Sequence, residues 1–519
     1  MFKMTERSGY EVLLAAMLLS LAPLRGQTSS GEKSAEAALA RASSSPLELR
    51  VFLERMPKGG DLHLHLGGAV YAETILQDAA EDNLCINPAK HSLAPNSGLT
   101  KTPTLQPLCA EGLVPAANVF QDQRFYDDMV DAWSMRSFVP STGVSGHDHF
   151  FSTPSRAGTS KRHQGEWLDE VATRAAAQNE QYLEVMTATS YDTALQAATA
   201  LGWDENMASM RDALLEKGLR NDVSAGRAEL DAIEATRNQR EHCGTPEATP
   251  ACSILVRYLY TVSRGNLPQR VFAQALLAFE LASADPRVVG INFAQPEDGY
   301  LSMREYHRQM LMLDYLHSVY PKVHISLHAG ELAFGMVPPE GLKFHIQEAV
   351  DLGHAERIGH GIDVMYEKNA HALLKEMAEK HVMVEINLTS NDVILGITGK
   401  QHPLTAYLAA HVPIALSTDD EGVSRIDLTH EYVRAVEDFR LGYLDLKRSA
   451  RTSIEHSFLP GTDLWAVEDS FTTVNAACAI PLSGECKAFL TGSEKAQLQW
   501  NLEQRFKTFE TNLGQANGR

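Results

Sequence analysis

The chain reads as a closed eight-stranded α/β barrel, on three observations. Short apolar runs bounded by turn residues alternate with helical patterns along most of its length. There are eight such runs, a number that favours a closed (β/α)8 barrel over an open sheet. Residues able to do chemistry recur at the carboxyl ends of several of them, where barrels of this kind place their active sites.

The runs are 61–66, 182–188, 254–261, 288–294, 324–328, 357–361, 382–388 and 413–418. Ahead of the first, 29–45 is small and polar and reads as a loose tether into a helix over 46–55. A helix follows near 71–81. Residues 85–114 hold many Pro, Ser, Asn and Lys without periodicity, which describes a surface insertion. Residues 120–138 look helical, and 141–158, including Gly146-His147-Asp148-His149-Phe150-Phe151, reads as an irregular loop. The stretch 204–250 is a helical decoration between the second and third strands. Beyond Asp420 the pattern is helical through 428–441, 446–456 and 494–513. Residues 46–519 thus form one barrel domain with two insertions and a helical C-terminal region.

At 519 residues, with 44% hydrophobic and 22% charged residues, the chain can bury a large core. Its formal charge of -20 argues against nucleic-acid partners and anionic membranes, which need clustered Lys and Arg. A small neutral or cationic ligand is more compatible, and a homodimer is possible. Lys3 and Arg7, the apolar run 12–24 and the polar stretch 25–33 have the order of a secretory signal peptide, expected to span 1–26. With that segment removed no membrane association is expected, and the mature protein is periplasmic or extracellular. Six cysteines fall as sequence neighbours, and the expected disulfides are Cys85 with Cys109, Cys243 with Cys252, and Cys478 with Cys486.

His63 and His65 stand two apart on the first strand, so both imidazoles face one way. A catalytic zinc needs at least three protein ligands and an open position for water. The fifth strand ends in His328-Ala329-Gly330-Glu331, the sixth in Gly359-His360-Gly361, and the eighth in Ser417-Thr418-Asp419-Asp420. His63, His65, His328 and Asp419 therefore make a mononuclear site that suits one zinc per chain, with iron or manganese as the other candidates. Glu331, His360 and Asp420 remain as an acid/base set. His360 is placed to orient or deprotonate a metal-bound water, Glu331 to donate a proton if burial keeps it protonated, and Asp420 to hydrogen-bond the substrate.

MPKGGDLHLHLGGAVYAET, SLHAGE, RIGHGID, EINLTSN and HPLTAYLAAHVPIALSTDD, in that order, resemble the adenosine deaminase family. The MPKG lead-in, the export signal and the insertion after the first strand are more similar to its secreted, growth-factor-related branch. The resemblance covers 56–420 and implies a (β/α)8 barrel with zinc on His63, His65, His328 and Asp419. It also implies Glu331 as donor to purine N1, His360 assisting the hydroxide, Asp420 bonding N7, and conversion of adenosine to inosine. Three departures are visible. Gly67 stands where cytosolic members carry a ribose-contacting aspartate, Gln295 where the family has a glycine whose N–H meets purine N3, and Glu421 in place of a proline. The substrate expected is a purine nucleoside, with another amino-purine, or a secreted binding protein without turnover, as alternatives.

Overall fold

Why the strands fall where they do is clear from their burial: most are short, fully or nearly fully buried runs, as a parallel sheet covered by helices requires, and only Leu255–Ser263 alternates between buried and partly buried positions at its ends. The computed structural model describes residues 29–94, 109–158 and 161–516. The expected signal segment lies outside them. Eight strands follow in chain order: β1 Gly59–His65, β2 Glu180–Thr187, β3 Leu255–Ser263, β4 Val288–Ala294, β5 His324–Ala329, β6 Arg357–His360, β7 Met383–Ile386 and β8 Ile414–Leu416. Every neighbouring pair is parallel, in the order β1 to β8.

The ring is closed by backbone just beyond β8. Leu64 bridges Asp419 in parallel, with the His65 N–H donating to the Asp419 carbonyl (3.1 Å) and the Asp419 N–H to the His63 carbonyl (2.8 Å). The fold is the (β/α)8 barrel that the strand count indicates.

Outside the barrel the structure corrects three local expectations. Ser30–Ala42 is a helix rather than a loose tether. Its sequence opens Ser-x-x-Glu, and Ser29 and Glu32 cap each other reciprocally. The helix buries Ala35, Leu39 and Ala42 against the C-terminal helix Glu494–Ala516. Small residues suggested a tether because they allow this close packing. Gly146–Ala157 is likewise a helix rather than an irregular loop, started by the capping pair Ser145 and Asp148. In 120–138 the α-helix is only Gln123–Ala132, capped by Asp122.

The insertion after β1 forms a small antiparallel sheet, Cys85–Asn87 with Ser92–Leu93 and Val114–Pro115. All three expected disulfides are present. Among the described residues no helix is long and apolar enough to cross a membrane. Lys58, fully buried, joins the first layers by donating to the carbonyls of Leu53, Met56 and Gln178 at 2.7, 3.1 and 2.6 Å. Replacing Leu39 by Ala is expected to cost about 2–4 kcal/mol, because it empties a packed contact. Denaturant unfolding of the full chain reads this as a lowered midpoint, whereas a loose tether would leave the midpoint unchanged.

Candidate active site

The barrel closure fixes the site. Because β1 and the end of β8 share backbone hydrogen bonds, His63, His65 and Asp419 are brought together without any long side-chain reach. His63 Nε2 and His65 Nε2 lie 3.4 and 3.2 Å from Asp419 Oδ1. His65 Nε2 also lies 3.1 Å from His328 Nε2, presented by β5. His360, from β6, has Nε2 3.9 Å from Asp419 Oδ2 and 3.9 Å from Glu331 Oε1. Every residue that the sequence nominates for metal or acid/base work is at this one end of the barrel.

The donors are aimed inward by what holds their far sides. His63 Nδ1 is 2.6 Å from Glu385 Oε2, and His328 Nδ1 is 2.8 Å from Asn292 Oδ1. Each carboxylate or amide oxygen accepts a hydrogen bond from the Nδ1–H, leaving an Nε2 lone pair facing the centre. Asp419 Oδ2 accepts from the Ser390 hydroxyl at 2.6 Å. Two imidazole nitrogens 3.1 Å apart and a buried, unpartnered His63 Nε2 form a donor set of three nitrogens and a carboxylate. That set fits a zinc-sized cation.

His360 is oriented by a different chain. The Leu404 N–H donates to His402 Nδ1 (3.1 Å), so the His402 proton is on Nε2, 3.1 Å from Asn391 Oδ1. That turns the Asn391 amide N–H towards His360 Nδ1 at 2.9 Å. His360 therefore presents an Nε2–H to the site, which makes it a donor that orients an oxygen rather than a base. Burial outweighs nearby Asp419 and, with His63 and His65 alongside, pushes this imidazole down to about 3.

Glu331 is buried. Burial, with the charges of Asp419 and Glu297, holds its carboxyl well above the usual range and so favours its protonated form. Glu297 accepts from the Gly330 and Glu331 amides at 3.1 and 2.7 Å and pairs with His345 Nδ1 at 2.5 Å. His345 is thus a buried support for this loop. Burial and the Asp419 charge push Asp420 up to about 7. A methyl group on Gly68 would fall 1.4 Å from Asp420 Oδ1, so only glycine lets Asp420 take this position.

Below the metal ligands the barrel interior is charged. Glu385 Oε1 accepts from Arg357 Nε (2.7 Å) and the Ser326 hydroxyl (2.9 Å), and Arg357 also contacts Glu184 at 2.7 Å. Burial opposes ionisation of Glu385, yet Arg357 and His63 together hold it down to about 2. Sequence reasoning missed Glu385, Arg357, Glu297, Asn391 and His402. All but Glu297 lie inside the motifs RIGHGID, EINLTSN and HPLTAYLAAHVPIALSTDD, so position in those motifs was the available signal.

The site opens into a cavity of about 480 Å³. Its floor holds His65, His328, Glu331, Asp419 and Asp420, and its outer wall Ile75, Trp133, Phe150, Phe151, Met186 and Val423. Phe150 and Phe151 come from the helix Gly146–Ala157. Among the described residues no lysine or arginine lines it. Gln295 lines it with φ of 92°, a left-handed conformation rare outside glycine, and its Oε1 is tied to the Gly265 N–H at 2.8 Å. Glu421 is buried in an ion pair with Arg174, so its departure from proline has a structural use.

A family model for adenosine deaminase matches residues 227–473. An adenosine deaminase of Clostridium perfringens is 33% identical over 135 residues, 26% of this chain and 37% of that protein. One from Escherichia coli is 33% identical over 147 residues, 28% of this chain and 41% of that protein. The chain thus spans about two-fifths of the length of the curated relatives it matches. Among solved structures, Arabidopsis ADAL complexed with IMP is 20% identical, with a TM-score of 0.51 over 88% of this chain and 99% of that one. An amidohydrolase from Burkholderia ambifaria with bound zinc is 16% identical, with a TM-score of 0.52 over 90% and 94%. These two likenesses concern the fold.

Replacing Glu385 by Gln removes the acceptor that sets the His63 tautomer and leaves Arg357 short of a counter-charge. We expect zinc affinity to fall roughly 10–100-fold and stability by about 3–5 kcal/mol. Competition with a chromophoric chelator and denaturant unfolding read the two effects separately.

Proposed function

We propose that this chain, which belongs to the adenosine deaminase family, hydrolyses adenosine or 2′-deoxyadenosine to the corresponding inosine and ammonia. The observation that carries the reading is Glu331, a buried carboxyl held well above its ordinary range, beside the convergent histidines and Asp419 at the floor of a nucleoside-sized cavity. His63, His65, His328 and Asp419 would hold one divalent ion, zinc by their chemistry. A divalent ion bound there acidifies water, which makes a nucleophile available at neutral pH.

The chain's own residues do the rest. The Glu331 carboxyl donates its proton to purine N1, which makes C6 electrophilic. The His360 Nε2–H, fixed by Asn391 and His402, hydrogen-bonds the attacking oxygen and holds it over C6. Purine N7 is an acceptor, so its partner must donate, and Asp420, pushed up to about 7, can carry the proton needed. Addition of water across C6 and N1 followed by loss of the 6-amino group as ammonia balances the reaction. The apolar outer wall keeps bulk water from the floor.

Gly67 leaves no carboxylate at the position where cytosolic members contact ribose, which favours a second reading in which another 6-aminopurine is the better substrate. A nucleoside monophosphate is disfavoured because, among the described residues, no lysine or arginine lines the cavity. Export of the mature chain is supported by the three disulfides and the apolar N-terminal run. That run, the MPKG lead-in and the disulfide-closed insertion are the basis for placing the chain near the secreted branch of the family.

Loss of adenosine ultraviolet absorbance by the zinc-loaded protein tests the activity directly. Glu331→Gln should lower kcat by about 100-fold to 10,000-fold with zinc content unchanged. Unchanged turnover in that variant would sink the mechanism. The same assay should give adenosine a kcat/KM at least about 100-fold above that of adenosine monophosphate, because the cavity gives a buried phosphate no counter-charge.

A further inference from the structure

At the opposite end of the barrel from the active site, the amino ends of β5, β6 and β7 open into a second cavity of about 570 Å³. His324, Arg357 and Val382 line it from the barrel, and Glu455, His456 and Phe458 from the segment that ends the helix Tyr443–Glu455. His324 faces this space, paired with Glu356 at 2.9 Å and stacked on Phe458, so it is a lining residue and not the satisfied core histidine its strand position implies.

Glu455 is the anomaly. It is 3% exposed, yet neither carboxylate oxygen has a hydrogen-bond partner among the described residues. The Asp469 amide bears on it only weakly, and burial, with the nearby charges of Asp469 and Asp463, pushes its carboxyl up to about 8. Lys495, on the same wall, donates to the Glu455 backbone carbonyl at 2.8 Å and lies 3.9 Å from Asp463 Oδ1. A buried carboxyl left in this state either keeps its proton or needs a cation beside it.

What surrounds it is a ligand set. Donor atoms of Glu455, His456 and Asp469 all lie within 4.8 Å of one another. His456 Nε2 is 2.9 Å from Asp469 Oδ1, and the other Asp469 oxygen is 2.7 Å from His381 Nδ1. Asp469 is held with φ of 57°, a left-handed conformation that the loop maintains to aim this side chain. Two carboxylates and one imidazole, with a second imidazole orienting one carboxylate, are what a first-row divalent ion takes up, and the positions left over suit water.

We propose that Glu455, His456 and Asp469 form a second divalent-cation site, separate from the active-site cluster, with His381 as the residue that orients Asp469. A cation there satisfies Glu455 and relieves the like charge that Asp469 brings close to it. It also pins the irregular segment 456–475 against the amino end of the barrel. The His456 carbonyl accepts from Arg357 at 3.0 Å, so the pinned segment continues into the charged interior of the barrel.

The test is zinc counting on the full chain stripped with chelator, reloaded with zinc chloride and desalted. In a His63→Ala/His328→Ala background, which dismantles the active-site cluster, close to one zinc per chain should remain. Adding Glu455→Gln should weaken that remaining zinc at least about 100-fold. A folded background variant that retains no zinc, or zinc retention indifferent to Glu455→Gln, overturns the proposal. Should the background variant fail to fold, the otherwise unmodified chain carries the test. It should bind two zinc ions, and its Glu455→Gln variant should bind one while keeping its turnover. One ion in the unmodified chain, or two in Glu455→Gln, overturns the proposal equally. Because the readout is metal content, its failure is distinguishable from an absence of deaminase activity.

Discussion

Two backbone hydrogen bonds between β1 and Asp419 close the barrel, and the rest of the active end depends on them. Strand β8 is only three residues long, so it holds Asp419 in place chiefly through its neighbours. Asp61 reinforces the seam, accepting from the Thr418 amide and hydroxyl at 3.1 and 2.6 Å while its other oxygen takes the His63 amide. The same few residues therefore complete the sheet and set the spacing of the first two histidines from the aspartate. Geometry at the candidate metal centre follows from topology, with side-chain rotamers left little to decide.

Beneath that seam, the barrel interior departs from the usual filling of branched apolar residues. Arg357, Glu385 and Glu184 are all fully buried, and Tyr182 donates to Glu184 at 2.7 Å. Replacing such a cluster by apolar residues of equal volume would not be costly in itself. Its use is directional, since Glu385 can hold His63 in one tautomer only while Arg357 keeps it ionised. Asp419 and His360 both sit at left-handed φ, 63° and 69°. Such strain at the ends of packed strands persists because the surrounding hydrogen bonds over-determine it.

Much of this was legible in the sequence. Buried parallel strands read as apolar runs between turn residues, and the eight runs lie within two residues or so of the strands observed at most ends. His63, His65, His328, Glu331, His360, Asp419 and Asp420 were visible because chemistry at strand ends breaks an otherwise apolar pattern. What was not legible depends on partners distant in the chain. Nothing local in Ser30–Ala42 announces the C-terminal helix it packs on. His345 looks like any histidine opening a helix until Glu297, 48 positions earlier, is placed beside it. Glu385 alternates with apolar neighbours on β7 and reads as solvent-facing, whereas it points into the barrel interior.

The three disulfides close loops of 24, 9 and 8 residues and bind no strand of the barrel to another. Each constrains only its own decoration, and for loops this short the chain entropy removed is modest. Oxidation can therefore proceed as each segment emerges, with no need for distant cysteines to find one another in a half-formed barrel. Any mispairing would have to bridge segments that the barrel holds well apart. The arrangement separates two kinds of failure: loss of a disulfide frays a surface loop, while the closed ring that carries the chemistry is held by noncovalent contacts alone.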